Sequence, residues 1–377
     1  MRKICYMLVF LILFASMGCK ALTPQNQGEE KKISPEKPVI FTTEHFITEK
    51  IEFTSPNFKH MYLRWFDDKT IAVIMNNRSI ENPPVELIQR VYAYDLENKK
   101  QTLIFEGKFP TNLDIRLKKL ANGDFLLQGS VMALEIESQT FKLKRIFYYP
   151  DGADVADVSR SQEQILYIKE EDGLYLRTIA TSKDTKLYSV EDERIRPAMP
   201  QWSDDEKTIN YLLLNTRNES GNKFVFLNPI TGKQSSFKVN YACLGWWFQD
   251  NKRFVAATPG ASFGFVPKIK VIDISSNQVL EFQPTDEVQI LCPPHGDEIL
   301  FEQIDLDVPG SKFPLSKLMI LNVLTNTTDI VTPEFLNLSS SVFSPSGNMI
   351  AFLANFISEE DLSIYITKRK EKSGGGS

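Results

Sequence analysis

The sequence predicts an all-β chain: a single β-propeller of seven four-stranded blades closed by an N-terminal strand, with six or eight blades as the alternative counts. Three observations predict it. Between the chain ends no amphipathic helical period appears, whereas short β-rich runs bounded by turn residues recur, among them Thr70 to Met75, Ile165 to Ile168, Ile209 to Leu214 and Ile269 to Ile274. A strand-turn-strand template repeats at about 46 residues, the spacing of propeller blades. The last copy of that template lacks a strand, and a spare strand precedes the first. Composition agrees: of 377 residues 42% are hydrophobic and 24% charged, with 18 Gly and 20 Pro, which excludes collagenous and wholly disordered classes. The length suits two or three ordinary domains, but a propeller of this size is one unit.

In chain order, residues 1–18 come first. Arg2 and Lys3 precede an apolar run from Ile4 to Phe14, then small residues and Cys19. This is the layout of an export signal, and the apolar run is shorter than the roughly 20 residues a membrane-spanning helix needs. Residues 19–38, rich in Gln, Glu, Lys and Pro, cannot bury enough apolar surface to fold and are expected to form a flexible tether. Residues 39–368 carry the repeat. Residues 369–377 form a charged tail ending in a linker-like run, Ser373 to Ser377.

Sliding the template along the chain gives anchor positions at Trp65, Leu117, Val158, Trp202, Trp247, Cys292 and Phe343, with steps of about 41 to about 52 residues. Each anchor ends a first strand; a polar turn and a second strand follow. Third strands ending in polar turns are expected at Val91 to Asp95, Leu174 to Leu176, Phe224 to Asn228, Val271 to Asp273 and Met319 to Asn322. Leu362 to Ile366 would be the last strand of the seventh unit. Lys50 to Thr54 would complete it, because pairing the two chain ends removes open sheet edges.

The clearest copies are Trp202-Ser203-Asp204-Asp205-Glu206-Lys207-Thr208-Ile209-Asn210-Tyr211 and Phe343-Ser344-Pro345-Ser346-Gly347-Asn348-Met349-Ile350-Ala351-Phe352. These units resemble the blades of TolB-like propellers and the related WD40-like repeats over roughly residues 40 to 367. The resemblance implies a propeller architecture and does not extend to the α/β domain that TolB carries. At the N-terminus, Ser16-Met17-Gly18-Cys19 resembles the lipobox of bacterial lipoproteins, which implies diacylglycerol on Cys19 as the first mature residue. The resemblance implies an exported lipoprotein held on the extracytoplasmic side of a membrane, at a cell surface or in a periplasm.

Charge and residue usage narrow the chemistry. Lys plus Arg number 43 against 48 Asp plus Glu, a net charge of -5, with the signs interspersed, so no nucleic-acid partner is expected. Loss of Arg2 and Lys3 would make the mature chain more acidic still, leaving the lipid, not electrostatics, to hold it at a membrane. Three His and four Cys leave little for an imidazole or thiolate metal site, and no metal or cofactor is expected. Asp67, Asp68, Asp204, Asp205 and Asp250 follow the anchors and fit turn positions where Asp accepts local N–H bonds. Asp305 and Asp307 are too few to specify a calcium site. Cys243 and Cys292 differ in template offset by about 13 Å of extended strand and are expected to stay free thiols. Gly260-Ala261-Ser262-Phe263-Gly264 matches G-x-S-x-G but lies in a loop between Pro259 and Pro267, without the strand-to-helix turn of a nucleophile elbow, so no catalytic residue is assigned.

Loop length carries the functional expectation. Long connections between second and third strands occur at Asn76 to Arg90, Thr258 to Lys268 and Ile304 to Lys317, in blades one, five and six. They hold apolar residues the sheets do not require: Val85, Leu87 and Ile88; Phe263, Phe265 and Val266; Phe313 and Leu315. Binding residues favour loops on a rigid scaffold, so these eight mark the expected surface for an envelope or membrane protein partner. The expected role is a protein-binding scaffold or sensor in the bacterial cell envelope. A lyase or glycosidase acting on envelope carbohydrate at the channel mouth is the alternative, and a small ligand in the channel is a third class.

Overall fold

The computed structural model describes residues 40–53, 60–77, 88–108, 116–129, 132–169, 171–217, 221–239, 245–258, 260, 266–305, 314–356 and 362–370. A hairpin of β1 (Ile40–Thr42) and β2 (Phe46–Ile51) opens them. Blade one is β3 (His60–Trp65), β4 (Thr70–Asn76), β5 (Gln89–Asp95) and β6 (Lys100–Gly107). Blade two is β7 (Arg116–Lys119), β8 (Phe125–Gln128), β9 (Met132–Ile136) and β10 (Leu143–Tyr148). Blade three is β11 (Ala153–Val158), β12 (Gln164–Lys169), β13 (Gly173–Thr178) and β14 (Lys183–Ser189). Blade four is β15 (Ile195–Trp202), β16 (Ile209–Asn215), β17 (Lys223–Leu227) and β18 (Gln234–Lys238). Blade five is β19 (Gly245–Trp247), β20 (Arg253–Thr258), β21 (Lys268–Asp273) and β22 (Gln278–Phe282). Blade six is β23 (Glu287–Ile290), β24 (Glu298–Asp305), β25 (Leu315–Asn322) and β26 (Thr327–Ile330). Blade seven takes β27 (Phe335–Phe343), β28 (Met349–Phe356) and β29 (Ser363–Arg369) and borrows β2 as its fourth strand. All pairings are antiparallel, and the helical content among the described residues is slight, a 3-10 turn at Ile179–Thr181 and a 3-10 residue at Gly221.

Closure is a register as well as a proximity. Phe46 to Ile51 pair with Arg369 to Ile364, and the hydroxyls of Thr48 and Thr367 meet at 2.6 Å inside the sheet. The closing strand therefore lies a few residues before the expected Lys50 to Thr54. The reason is what fills the buried positions: Phe46 (1% exposed) and Thr48 (1%) point inward, and a strand four residues further on would put Lys50 and Glu52 there instead. Phe53, just beyond β2, instead packs edge-on against Tyr92 in blade one, with ring centroids 5.5 Å apart. β1 adds a fifth strand outside β2.

The core is not central. It is divided among seven apolar clusters, one at each seam between adjacent blades, including the seam between seven and one where Leu63, Ile71 and Tyr92 meet Ala351, Leu353 and Ile366. Second strands are therefore buried on both faces: Ile350, Phe352 and Ala354 of β28 face blade six, and Ala351 and Leu353 face blade one. This is why β4, β8 and β20 read as nearly continuous apolar runs, while outer strands such as β14 are polar.

The repeated sequence template has a local cause. After the anchors of blades three, four and seven comes a serine, Ser159, Ser203 or Ser344. Its Oγ accepts the N–H of Gln164, Thr208 or Met349 at 3.0, 3.0 and 3.2 Å, closing the turn into the second strand. Third strands end on Asp95, Asp273 or Asn322, or one residue before Asn228, because each Oδ1 accepts two N–H groups of the next turn. Trp65, Val158, Trp202, Trp247 and Phe343 do end their first strands. Leu117 does not: Lys119 ends β7, so that anchor falls two residues early, its apolar residue having been matched in place of a lysine at the strand end. Cys292 lies two residues past β23, buried and free, its thiol pushed up to about 12 by burial. Cys243 lies outside the described residues. Among the described residues no helix is long and apolar enough to cross a membrane.

Candidate functional site

The ring has two unlike rims. The turn rim carries the first-to-second and third-to-fourth turns, and adjacent blades are tied there by polar contacts. Ala121 donates to the Arg160 carbonyl (3.0 Å), Ser161 to Glu206 (2.6 Å), Asp205 to Asn251 (3.3 Å) and Ser346 to Asp68 (2.9 Å). Between blades five and six Arg253 meets Asp297 at 2.7 Å, and His295 Nε2 lies 3.1 Å from the Pro345 carbonyl of blade seven. Between blades one and two the described contact is aromatic, Phe66 against Phe125 with centroids 5.1 Å apart. The acids after the anchors serve these turns: Asp67 accepts the N–H of Lys69, Asp205 that of Lys207 and Asp250 those of Lys252 and Arg253. Burial works against ionisation of Asp68, but the Ser346 N–H and the hydroxyls of Ser346 and Ser344 together, with His295 nearby, outweigh it and hold that carboxyl below its usual range.

The loop rim is different. Its second-to-third connections are short in blade two (129–131) and blade three (170–172) and long in blade one (77–88), blade five (259–267) and blade six (306–314). Ile88 is half-buried and closes the base of the first long loop, its N–H donating to Asn77 Oδ1 at 2.8 Å while Asn77 donates back to the Ile88 carbonyl at 3.1 Å. Val266 is 53% exposed beside the start of β21. Leu315 is 6% exposed, because β25 begins on it and pairs it with Asp305, so it offers no surface. Val85, Leu87, Phe263, Phe265 and Phe313 lie outside the described residues, as do Cys19 and Ser262. Gly260 is described: its φ is +150°, and a Cβ there would sit 2.8 Å from Glu287 Cγ, so the backbone at Gly260 lies directly against the start of β23.

Two buried polar centres lie on inner strands, β11 and β24, and neither follows from the template. One is Asp157 in β11, fully buried, which joins blades two, three and four. Its Oδ1 accepts Gln128 Nε2 (2.8 Å) and Lys118 Nζ (2.5 Å), and its Oδ2 accepts the Trp202 N–H (2.7 Å) with Arg116 Nη1 at 3.7 Å. Burial favours the neutral acid, but the Lys118 and Arg116 cations and these hydrogen bonds outweigh it and keep the carboxyl below its ordinary range. Arg116 also donates to the Pro200 carbonyl (3.0 Å) and Lys118 to that of Val158 (3.1 Å). With its oxygens engaged, Asp157 acts as a clamp. The strand Ala153–Val158 holds two acids, exposed Asp154 and buried Asp157, so the sequence alone does not single out the second.

The other centre is Glu302 in β24, 5% exposed, on the face turned toward blade seven. Burial pushes its pKa up to about 7, and a hydrogen bond with Ser316 offsets only part of that. Gln289 pairs with it across β23, and Glu287, also buried, lies one step closer to the loop rim opposite Ile304. His45 and His295 belong to the turn rim and reach neither centre, His45 Nε2 lying 3.9 Å from Asp329, whereas His60 opens β3 opposite Asn76 at the loop-rim end. Among the described residues no group of three or more His, Cys, Asp or Glu is placed to hold a metal ion.

No protein-family model matches this sequence, and no curated protein does. Solved structures do resemble it. An oligogalacturonate lyase from Vibrio parahaemolyticus superposes with a TM-score of 0.57 at 12% identity, covering 88% of this chain and 98% of that one. The β-propeller domain of Swd1 from Myceliophthora thermophila superposes with a TM-score of 0.54 at 11% identity, covering 82% of this chain and 99% of that one. At such identities the likeness is one of fold, and it agrees with the seven-bladed ring.

Proposed function

We propose that this chain is a lipid-anchored, extracytoplasmic propeller, TolB-like in its blades, that serves as a protein-binding scaffold or sensor in the bacterial cell envelope. Its partner, an envelope or membrane protein, is taken on the loop rim of blades five, six and one, with Cys19 carrying the lipid. The observation that supports this reading is the contrast between rims: one is cross-tied from blade to blade, and the other concentrates its long connections on one arc. Val266, exposed on that arc, adds apolar surface there.

Combined Phe263→Ser, Phe265→Ser and Phe313→Ser substitutions are expected to weaken partner capture in crosslinking pull-downs from intact cells by at least tenfold, with the melting temperature nearly unchanged. A large drop in melting temperature would make those rings core and would remove them from the surface. The competing reading is an envelope carbohydrate enzyme working in the channel. It is less well supported, because Asp157, a buried carboxylate of an inner strand, is saturated by its own neighbours. Sustained turnover of cell-wall glycans or of oligogalacturonate, lost on substitution of channel carboxylates, would replace the scaffold reading.

A further inference from the structure

Anchor tryptophans turn their indoles onto the preceding blade: Trp65 packs against blade seven, Trp202 against blade three and Trp247 against blade four. Between blades seven and one the protein satisfies the indole by itself, since Trp65 Nε1–H donates to the Val342 carbonyl at 3.0 Å. Trp202 and Trp247 are 3% and 8% exposed, and their buried indole nitrogens have no partner among the described residues. What the preceding blade presents to each indole differs. There the first strand's anchor pairs with Ile165, Ile209 or Ile350, and the next residue along the second strand faces the seam. That residue is Leu166 in the cluster of Trp202 and Ala351 in the cluster of Trp65. In the seam of Trp247 it is Asn210.

Asn210 is 0% exposed, and neither its Oδ1 nor its Nδ2 has a partner among the described residues. Register fixes its place. It is the cross-strand neighbour of Phe226, so the two share a face, and the Phe226 ring stands edge-on to Trp247 with centroids 5.5 Å apart. Its other neighbour, Gln201, donates from Nε2 to the Gly245 carbonyl of blade five at 2.8 Å. We propose that the seam between blades four and five binds an internal water, which accepts the Trp247 indole N–H and bonds the Asn210 amide. Two buried polar groups around one ring supply the partners such a water needs, and left bare each would keep its full desolvation cost. Water suits them because it both donates and accepts, as the amide does. Asn is also smaller than the Leu that fills the same place in blade three, which leaves room beneath the indole. The Trp202 seam is different, since Leu166 offers a water nothing beside the one indole N–H.

The test is nuclear magnetic cross-relaxation between water and each indole N–H, in the full chain isotope-labelled at tryptophan, with the Trp247 signal identified by its loss in Trp247→Phe. The expected result is contact with a long-lived water at Trp247 and none at Trp65, whose N–H is held by Val342. Asn210→Leu is expected to abolish the Trp247 contact and leave the Trp65 signal unmoved. Absence of the contact in the wild-type chain would overturn the proposal, as would a contact that persists in Asn210→Leu. A crystal structure with ordered solvent asks the same question without a variant. A water oxygen within hydrogen-bond distance of Trp247 Nε1 and the Asn210 amide is expected, and a direct bond from Trp247 Nε1 to Asn210 Oδ1 or to the Gln201 carbonyl would overturn the proposal.

Discussion

Asp157→Ala is expected to lower the unfolding free energy by about 3–5 kcal/mol, the cost of removing one partner from a buried ion pair. The loss exceeds a cavity effect because Lys118 and Arg116 would stay behind as buried cations facing each other, and Gln128 and the Trp202 N–H would lose an acceptor. Asp157→Asn keeps the shape but not the charge and is expected to recover only part of the loss. Lys118→Met should cost less, since Arg116 still balances the carboxylate. Urea denaturation of the single variants and of the Asp157→Ala/Lys118→Met double variant checks this: strong non-additivity is expected. Because the Asp157 pKa is depressed in the fold, its contribution is present above the usual carboxylate range and fades as pH falls below it. A loss under about 1 kcal/mol for Asp157→Ala would demote the clamp to an ordinary surface-like pair.

Glu302→Gln is expected to do the opposite and stabilise the protein at alkaline pH. The folded-state pKa is raised from 4.5 to about 7, so between those values the folded chain holds a proton that the unfolded chain releases. Stability is therefore greatest below the unfolded value and declines as pH rises through the folded one, by up to about 1.4 kcal/mol per pH unit and about 3 kcal/mol in all. Gln is isosteric with the protonated acid and cannot ionise, so the variant should lose this slope and be the more stable chain at pH 8. Thermal unfolding from pH 5 to pH 8 measures it. Parallel profiles for the two chains would mean that Glu302 is solvated in solution. Glu302 and Ser316 lie close to where β24 and β25 leave for the blade-six loop.

The blade count, the seven anchors within two residues, and the third strands ending on Asp or Asn were legible because each rests on local chemistry: a hydroxyl or carboxylate closing a turn within a few residues. What was not legible is non-local. Asp157 gathers Arg116, Lys118 and Gln128 from blade two and Trp202 from blade four, partners up to 45 positions away, which no window along the chain can bring together. Glu302 looks like any strand acid until the opposite face is known to be covered by blade seven. The closing strand was placed a few residues late because Lys50 to Thr54 and Phe46 to Ile51 both have strand character. Only the seam decides, by burying Phe46 beside Tyr365. For the partner surface, the arc of long connections was legible from spacing alone. Leu315 shows the limit, since a loop's last residue by pattern is a strand's first by pairing.

The most direct test of the ring is a disulfide across its closure. Thr48 and Thr367 are paired strand neighbours 319 positions apart, and their side chains touch. In a chain freed of its other cysteines, Thr48→Cys with Thr367→Cys is expected to oxidise spontaneously to an intramolecular disulfide, found by mass spectrometry as one linked peptide pair, and to raise the denaturation midpoint. Thiols that stay free in the folded monomer, or that link only between molecules, would contradict closure of blade seven by the first strands.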